Sequence, residues 1–350
     1  MPIRPGPRNL ITDVDGISVG NAHSSSVRSG VTVVLPDKRA LAACDVRGGA
    51  PGTRETDALD PSCLVDAVDG LVLSGGSVYG LEAMSGAVAW LGARGRGFSL
   101  AGGNTPVSPV VPGAILFDLP NGGDKGWGET PPYRAWGMEA CANVARDFDL
   151  GNVGAGMGAM AGNLKGGLGS ASALDGDLQI GALIAVNAFG SAVIPGTGQF
   201  WAAPYELAAE FGGRGWPAAH PSASEAEPFA GSRFDIAPLA PGGNTTIGIV
   251  ATNAALTKAE ATRIAIMAQD GLGRALRPIH SHVDGDVLFV LATGKVELAA
   301  APLDRLMQLM RIGSIAADCV ARAAARGVYA AADLGDAVSY RSKFPESAPS

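Results

Sequence analysis

Fifty glycines are scattered through the 350 residues of this chain, alternating with long apolar runs instead of gathering in one tract. With 23 prolines they make up about a fifth of the sequence, a share more typical of low-complexity chains. Interleaved with so much apolar sequence, the glycines call for tight turns and for backbones packed directly against one another. The chain therefore has to fold as many short elements in close layers.

Charge narrows the reading further. Apolar residues reach 47% and charged ones only 17%, too few charges to cover the surface comfortably, which suggests that part of it is buried in a homo-oligomer. A net charge of −7 leaves no basic stripe, so nucleic acid is not an expected partner. Cys44, Cys63, Cys141 and Cys319 lie far apart without a C-x-x-C pair, as in a reduced, cytoplasmic protein lacking a structural zinc site. The opening MPIRPGPRNL carries no apolar signal segment, and no later run is long enough to cross a membrane, so a soluble intracellular protein with no membrane partner is expected.

Short apolar or alternating segments at 30–35, 70–73, 113–117, 178–187, 246–252 and 287–292 read as strands between glycine-rich turns. A helix is predicted over 77–93, with Leu81, Met84, Val88 and Leu91 at helical spacing and Ser77 as its N-cap. Thr257-Lys258-Ala259-Glu260 is a capping box opening a second helix with Ile264, Met267 and Ala268 on one face. The longest helix, over 302–326, would turn Leu306, Met310, Ala317 and Val320 inward and stop at Gly327. Strand runs alternating with helix pairs imply α/β layers, and no internal repeat is visible. Residues 217–241, rich in Pro, Ala, Ser and Glu and without a period, read as an exposed linker that leads through Gly242-Gly243-Asn244 into a buried strand, a place where a chain break would be tolerated.

The chemistry of interest lies at that junction. A threonine hydroxyl is a poor nucleophile unless a base takes its proton, and an N-terminal threonine has one on the same residue. Its α-amine, with an ordinary pKa near 8, is partly neutral at working pH. Thr245 would gain such an amine only if the Asn244–Thr245 bond were broken, and Gly242-Gly243 would supply backbone freedom for a strained bend there. Taken alone, Asn244-Thr245-Thr246 also reads as a loop entering a strand, and as a glycosylation sequon.

The stretch NTTIGIVATNAALTKAEATRIAIMAQDGLGRALRPIHSHVDGD resembles the start of the small subunit in the P1 (DmpA-like) peptidase family. That family takes in L-aminopeptidase/D-esterases, β-peptidyl aminopeptidases and the nylon-oligomer (aminohexanoate-oligomer) hydrolases. ITDVDGISVGNA, VLSGGSVYGLEA, GAGMGAMAGNLKGGLGSAS and IAVNAFG follow in the family's order. Threonine at the junction, with Asp284-Gly285-Asp286 downstream, is most similar to the nylon-oligomer branch; the β-peptidyl aminopeptidases have Ser there and a Ser/Glu pair later.

The resemblance implies a four-layer α/β/β/α sandwich of the DmpA and ornithine-acetyltransferase type, one domain over 1–350, self-cleaved into a large subunit of 1–244 and a small subunit of 245–350. It implies Thr245 as nucleophile, Asp284 and Asp286 as the acidic pair orienting the new amine and the hydroxyl, and Asn187 as donor to the oxyanion. Lys165 matches a lysine bordering the nucleophile, and Tyr133 aligns loosely with a substrate-binding tyrosine. No cofactor is implied, because nucleophile, base and oxyanion donors all come from the protein. The expected partners are a small amide or oligo-amide substrate and further copies of the chain, commonly as a tetramer.

Each of these residues also has a plainer reading: Asp-Gly as a hairpin turn, Asn187 as a strand-end turn residue, Lys165 as a solvated charge. Rival motifs are weaker. Gly154-Ala155-Gly156-Met157-Gly158-Ala159 fits the dinucleotide fingerprint, but Gly162, Gly166, Gly167 and Gly169 follow too densely for the helix that motif requires. Ser77 misses the G-x-S-x-G spacing by one residue. His280 and His282 could share a strand face, yet lack an evident third metal ligand. Two other activities stay open, an aminopeptidase, β-peptidyl aminopeptidase or D-amino-acid amidase without action on nylon oligomers, and an acyltransferase like the ornithine acetyltransferases. The latter typically cleave at Ala-Thr-Met-Leu, where this chain has Asn-Thr-Thr-Ile. A non-enzymatic binding protein is the third possibility.

Overall fold

The computed structural model describes residues 3–99, 105–219, 227–236 and 244–345. Among these, twelve strands follow in chain order: β1 (Ile17–Ser24), β2 (Ser29–Pro36), β3 (Leu41–Val46), β4 (Thr53–Arg54), β5 (Leu71–Ser74), β6 (Gly113–Ile115), β7 (Met160–Ala161), β8 (Leu164–Lys165), β9 (Gly167–Asp175), β10 (Leu178–Asn187), β11 (Thr245–Ala254) and β12 (Val287–Val296). The helices are α1 (Glu82–Gly92), α2 (Tyr133–Ala142), α3 (Lys258–Ala275), α4 (Pro302–Ala330) and α5 (Tyr340–Lys343). One five-stranded sheet has the order β1-β2-β5-β6-β4 and the other β3-β12-β11-β10-β9, with β7 and β8 as a separate hairpin.

Strand alternation explains the layering. In β10, β11 and β12 both faces are apolar, as expected of strands covered on two sides. Leu183, Ala185, Ile247, Ile249, Phe289 and Leu291 point toward the first sheet, where they meet Val19, Val34, Leu71 and Leu73. Their neighbours Ile180, Ile184, Val250, Leu288 and Val290 point the other way, onto α3 and α4. The outer face of the first sheet, with Val31, Val33 and Val72, is covered by Met84, Ala87 and Leu91 of α1 and Ala140 of α2. The result is the expected α/β/β/α sandwich. Among the described residues no helix is long and apolar enough to cross a membrane.

Several local expectations need correcting. Residues 77–81 form a 3-10 helix before α1, and its N-cap is Gly76 at φ +82°; Ser77 caps nothing and its N–H donates to the Leu116 carbonyl. Ser77 is itself at positive φ. In α4, Ala317 and Val320 are buried, but Leu306 and Met310 face solvent, because the first turns of the helix extend past the sheet. Leu303 and Met307 complete that exposed apolar stripe. Gly327 does not stop α4, which runs on to Ala330. It is where the helix lies against β9: a Cβ on Gly327 would come within 2.9 Å of the Gly169 nitrogen, and one on Gly169 within 1.9 Å of the Ala323 carbonyl oxygen. Glycine is needed on the strand because helix backbone occupies the place of its side chain. The capping box at Thr257 is present in both directions, at 3.3 Å and 2.8 Å.

The linker reading also needs revision in its described part. Ser232 is buried and caps a 3-10 turn at Arg233–Asp235, and Phe229 and Phe234 stack edge-on against Phe189. Gly242-Gly243 lies outside the described residues.

Gly169→Ala should lower the denaturation midpoint, with a loss on the order of 1–3 kcal/mol or more from overpacking. Gly273→Ala, at an exposed position of α3 with nothing within 4 Å of the new methyl, should raise stability by about 0.5–1 kcal/mol. Equal effects of the two changes in urea titration would refute the close-approach account.

Candidate active site

Thr245 opens β11, and strand pairing decides what surrounds it. The antiparallel register with β10 sets Asn187, the last residue of that strand, opposite Thr245. On the other side β12 runs parallel to β11, and a bridge between Asn244 and Asp284 brings the Asp284-Gly285-Asp286 run alongside. This run is the lead into β12, not a hairpin turn between adjacent strands. Thr245, Asn187, Lys165, Asp284 and Asp286 are all buried.

The Thr245 hydroxyl donates to the carbonyl oxygen of Asn244, which also accepts the Gly285 N–H at 3.0 Å. A Cβ at Gly285 would lie 2.8 Å from Thr245 Oγ1 and 2.7 Å from the Ala50 carbonyl oxygen, so only glycine leaves the hydroxyl room. Ala50 and Arg47, in the loop after β3, donate their N–H groups to the carbonyls of Asp284 and Asp286 and clasp the run from outside.

Both carboxylates are held by donors. Asp286 Oδ1 accepts the Thr246 N–H at 2.7 Å, while Oδ2 accepts the His280 N–H at 3.0 Å and meets His280 Nδ1 at 2.9 Å. Asp284 Oδ1 accepts the Phe189 N–H at 3.2 Å, and Oδ2 accepts the Ser281 N–H at 3.0 Å and its hydroxyl. Burial, and then the charge of Asp286, push the Asp284 carboxyl up to about 6. His280 sits in an irregular loop at positive φ, so it shares no strand face with His282; its ring serves Asp286 instead.

Asn187 is fixed at both ends of its amide. Nδ2 donates to the Phe117 carbonyl at 3.0 Å, and Oδ1 accepts from Met160 N at 2.9 Å and from Asn121 Nδ2 at 3.2 Å. Among the described residues this leaves a second N–H on Nδ2 to give. β6 ends at Ile115, two residues short of the expected strand.

Lys165 closes the β7–β8 hairpin and donates Nζ to the carbonyls of Gly156 at 3.0 Å and Gly166 at 2.7 Å. Burial lowers its ammonium to about 7, with Asp118 countering. Gly166 presses on the Val186 carbonyl, which puts the lysine beside the end of β10. The dinucleotide-like fingerprint itself forms only a 3-10 turn over Gly154–Gly156, and the glycines that follow build this hairpin and β9 instead of an α-helix.

Tyr133, at the start of α2, is fully buried; its hydroxyl donates to Ser29 Oγ at 3.1 Å and its ring meets Trp127 and Trp136 edge-on. Asp118 lies in the same pocket, accepting the Gly76 N–H at 2.7 Å, and burial pushes its carboxyl up. The sequence reading missed Asn121, Ser281 and Asp118 as neighbours of the site. Pro120-Asn121-Gly122-Gly123 reads locally only as a turn, and nothing in it signals a contact with a strand end 66 residues away.

A cleft of about 730 Å³ opens beside Asn187, with Asn121 and Met160 in its wall together with Arg28, Arg233, Asp235 and Lys343.

A buried threonine opening a strand beside two carboxylates and a pinned amide, in a four-layer sandwich, is an arrangement suited to amide-bond hydrolysis. The family model for peptidase family S58 matches residues 9–339, and the chain belongs to that family. It is accordingly an enzyme that hydrolyses amide or peptide bonds, and the DmpA-like resemblance read from the sequence holds. An uncharacterized aminopeptidase of Mycobacterium tuberculosis (strain ATCC 25618 / H37Rv) is 44% identical over 96% of this chain and 98% of its own length. A 6-aminohexanoate-oligomer endohydrolase of Kocuria sp. (strain KY2) is 30% identical over 86% of this chain and 80% of its own. In fold the chain is similar to the L-aminopeptidase D-Ala-esterase/amidase of Ochrobactrum anthropi, described as a variant of the Ntn hydrolase fold, with a TM-score of 0.66, 21% identity, and coverage of 95% and 88%.

The raised carboxyl of Asp284 has a sign that can be tested. Below about pH 4 it is protonated folded or unfolded; between about 4 and 6 only the folded chain keeps the proton, so stability falls as pH rises through this window. Asp284→Asn should remove that component. Unfolding free energies of wild type and variant that keep a constant difference from pH 4 to pH 7 would refute the assignment.

Proposed function

We propose that the chain cuts itself between Asn244 and Thr245 and that Thr245, as the new N-terminus, is the nucleophile of an amidase or aminopeptidase. The observation that carries this reading is the pairing at that bond: the Thr245 hydroxyl against the Asn244 carbonyl, whose oxygen already accepts the Gly285 N–H. Attack by Oγ1 on the Asn244 carbonyl carbon would place negative charge on that oxygen, where the amide donor stands ready. The C–N bond then breaks, leaving an ester on Thr245 and a free amine. Water hydrolyses the ester and releases a carboxylate at Asn244. Lys165, neutral above about pH 7, is the base proposed to take the hydroxyl proton in the uncut chain.

In the cut enzyme the Thr245 α-amine takes over as base. It accepts the Oγ1 proton as the oxygen attacks a substrate carbonyl, with the free N–H of Asn187 directed at the developing oxyanion. The leaving amine departs with the proton, and water resolves the acyl-enzyme. Asp286, bonded to the Thr246 N–H one residue along, and Asp284 are proposed to hold and balance the ammonium form of that amine. Tyr133 acts on this reading through Ser29 and the Asp118 pocket, as a positioning residue.

Short peptide amides are the proposed substrates, supported by the relatives named aminopeptidase, and linear aminohexanoate oligomers are proposed to be accepted as well, supported by the 30% identical endohydrolases. The exposed stripe Leu303, Leu306, Met307 and Met310 supports association of copies.

The denatured mass of the purified protein tests self-cleavage: chains of 244 and 106 residues should replace the 35.2 kDa precursor, and Thr245→Ala should stay whole. A wild type that remains uncut on long incubation would end the N-terminal threonine reading. Release of amine should be measurable with both short peptide amides and aminohexanoate oligomers. A fully cut enzyme active only on the former would remove the oligomers from its range.

A further inference from the structure

The cleft beside Asn187 contains a cation that the proposed chemistry does not use. Arg233 lies on the 3-10 turn docked by Phe229 and Phe234, and its backbone N–H donates to the carbonyl of Phe189, two residues beyond Asn187. Its guanidinium reaches Asn121 Oδ1 at 2.8 Å, and Asn121 in turn donates to Asn187 Oδ1. Among the described residues, ten other arginines pair with a carboxylate within 4.0 Å and Arg233 pairs with none. Burial without such a partner lowers its affinity for the proton.

Arg28 shares the cleft and likewise has no carboxylate partner among the described residues, its guanidinium wedged beside Gly122 and Gly335. Lys343 adds a third cation at the rim, donating to Asn163 Oδ1 at 3.1 Å. On the acidic side, Asp235 Oδ2 is committed to the Gly231 N–H and to Asn163 Nδ2, both at 3.0 Å, and Asp336 stands exposed. A half-buried guanidinium with one neutral partner, facing a cavity, has donors left for a planar anion.

We propose that this cleft binds a free carboxylate of the substrate, with Arg233 as the principal anchor and Arg28 as its support. The preferred substrates are then short amides and oligo-amides that end in a carboxylate, such as small peptides, over the same compounds capped as carboxamides. The inference rests on the amide-hydrolase reading of Thr245 for its catalytic consequence, but the carboxylate site itself stands on the cleft alone.

Two measurements separate them. In the first, N-acetylglycylglycine and its carboxamide are titrated into the full-length Thr245→Ala protein by calorimetry, which requires no turnover. The free acid should bind about tenfold or more tightly, as a charge-assisted pair to arginine does, and Arg233→Gln in the same background should bring the ratio near one while Arg233→Lys keeps part of it. In the second, hydrolysis of a tripeptide is compared with that of its carboxamide. The wild type should favour the free acid through KM, and Arg233→Gln should collapse the ratio of the two kcat/KM values. Equal binding of acid and carboxamide by the Thr245→Ala protein overturns the carboxylate site even if both compounds are hydrolysed by the wild type. Selective binding of the acid with no hydrolysis of either compound upholds the site and overturns the reading of Thr245. A ratio that survives Arg233→Gln reassigns the anchor away from Arg233 and defeats the proposal as stated.

Discussion

The pairing of β11 with β10 on one side and β12 on the other governs the rest of the structure. Because successive side chains in a strand point to opposite faces, a slip of one residue would carry Thr245 from the space between the sheets to the helix side, and with it Ile247, Ile249 and Ala251 out of the inner core. The apolar cost of that slip is borne by every residue of a ten-residue strand buried on both faces, so the register is enforced far from the site. The position of the hydroxyl is therefore a consequence of core packing. Parallel pairing with β12 does the same for Asp284 and Asp286, which enter beside Asn244 because the strand that follows them must align with Ile247 onward.

Glycine makes this arrangement compact enough to work. The helix layer sits on β9 at backbone contact through Gly169, and the 284–286 run approaches the Thr245 hydroxyl through Gly285. The same residue type thus serves packing in one place and room for the Thr245 hydroxyl in another, and the two are indistinguishable from composition. This is why the glycine density correctly announced close-packed layers while saying nothing of which glycines matter chemically.

Much of the sandwich was legible in the chain. β10 was bounded correctly, β2, β5, β11 and β12 were found within a few residues, and the capping box at Thr257 marked α3. The strands that went unread, β1, β3, β4, β7, β8 and β9, are short or interrupted by small and polar residues, so their periodicity is weak. Leu306 and Met310 were misplaced because helical spacing identifies a stripe but not the length of sheet available to cover it. At the site, Thr245, Asn187, Lys165, Asp284 and Asp286 were named through family resemblance and not through any local signal. What no motif carried was the long-range support: Asn121 bonded to Asn187, Ser281 to Asp284, His280 to Asp286. Those contacts exist only because three strand ends converge, which is a property of topology.

The electrostatics of the uncut chain bear on why a break at Thr245 would persist once made. Two buried carboxylates flank Gly285 in the chain, with Asp284 raised by burial and then by its neighbour's charge. Lys165, the nearby buried amine, is itself driven toward the neutral form and spends its donors on backbone carbonyls. In the uncut chain the basic side chain in contact with the acidic pair, among the described residues, is His280, whose ring meets Asp286 Oδ2 at 2.9 Å. On the proposed reading, cleavage creates an ammonium group one residue from the Asp286 bond to Thr246, in a region of low dielectric where such a pairing counts for more than in water. Rejoining the bond would have to discharge both that ammonium and the new Asn244 carboxylate, and would remove the ammonium's pairing with the acidic pair. The acidic pair would then have two functions set by one geometry, holding the cut open in the assembled fold and tuning the amine that drives the subsequent chemistry.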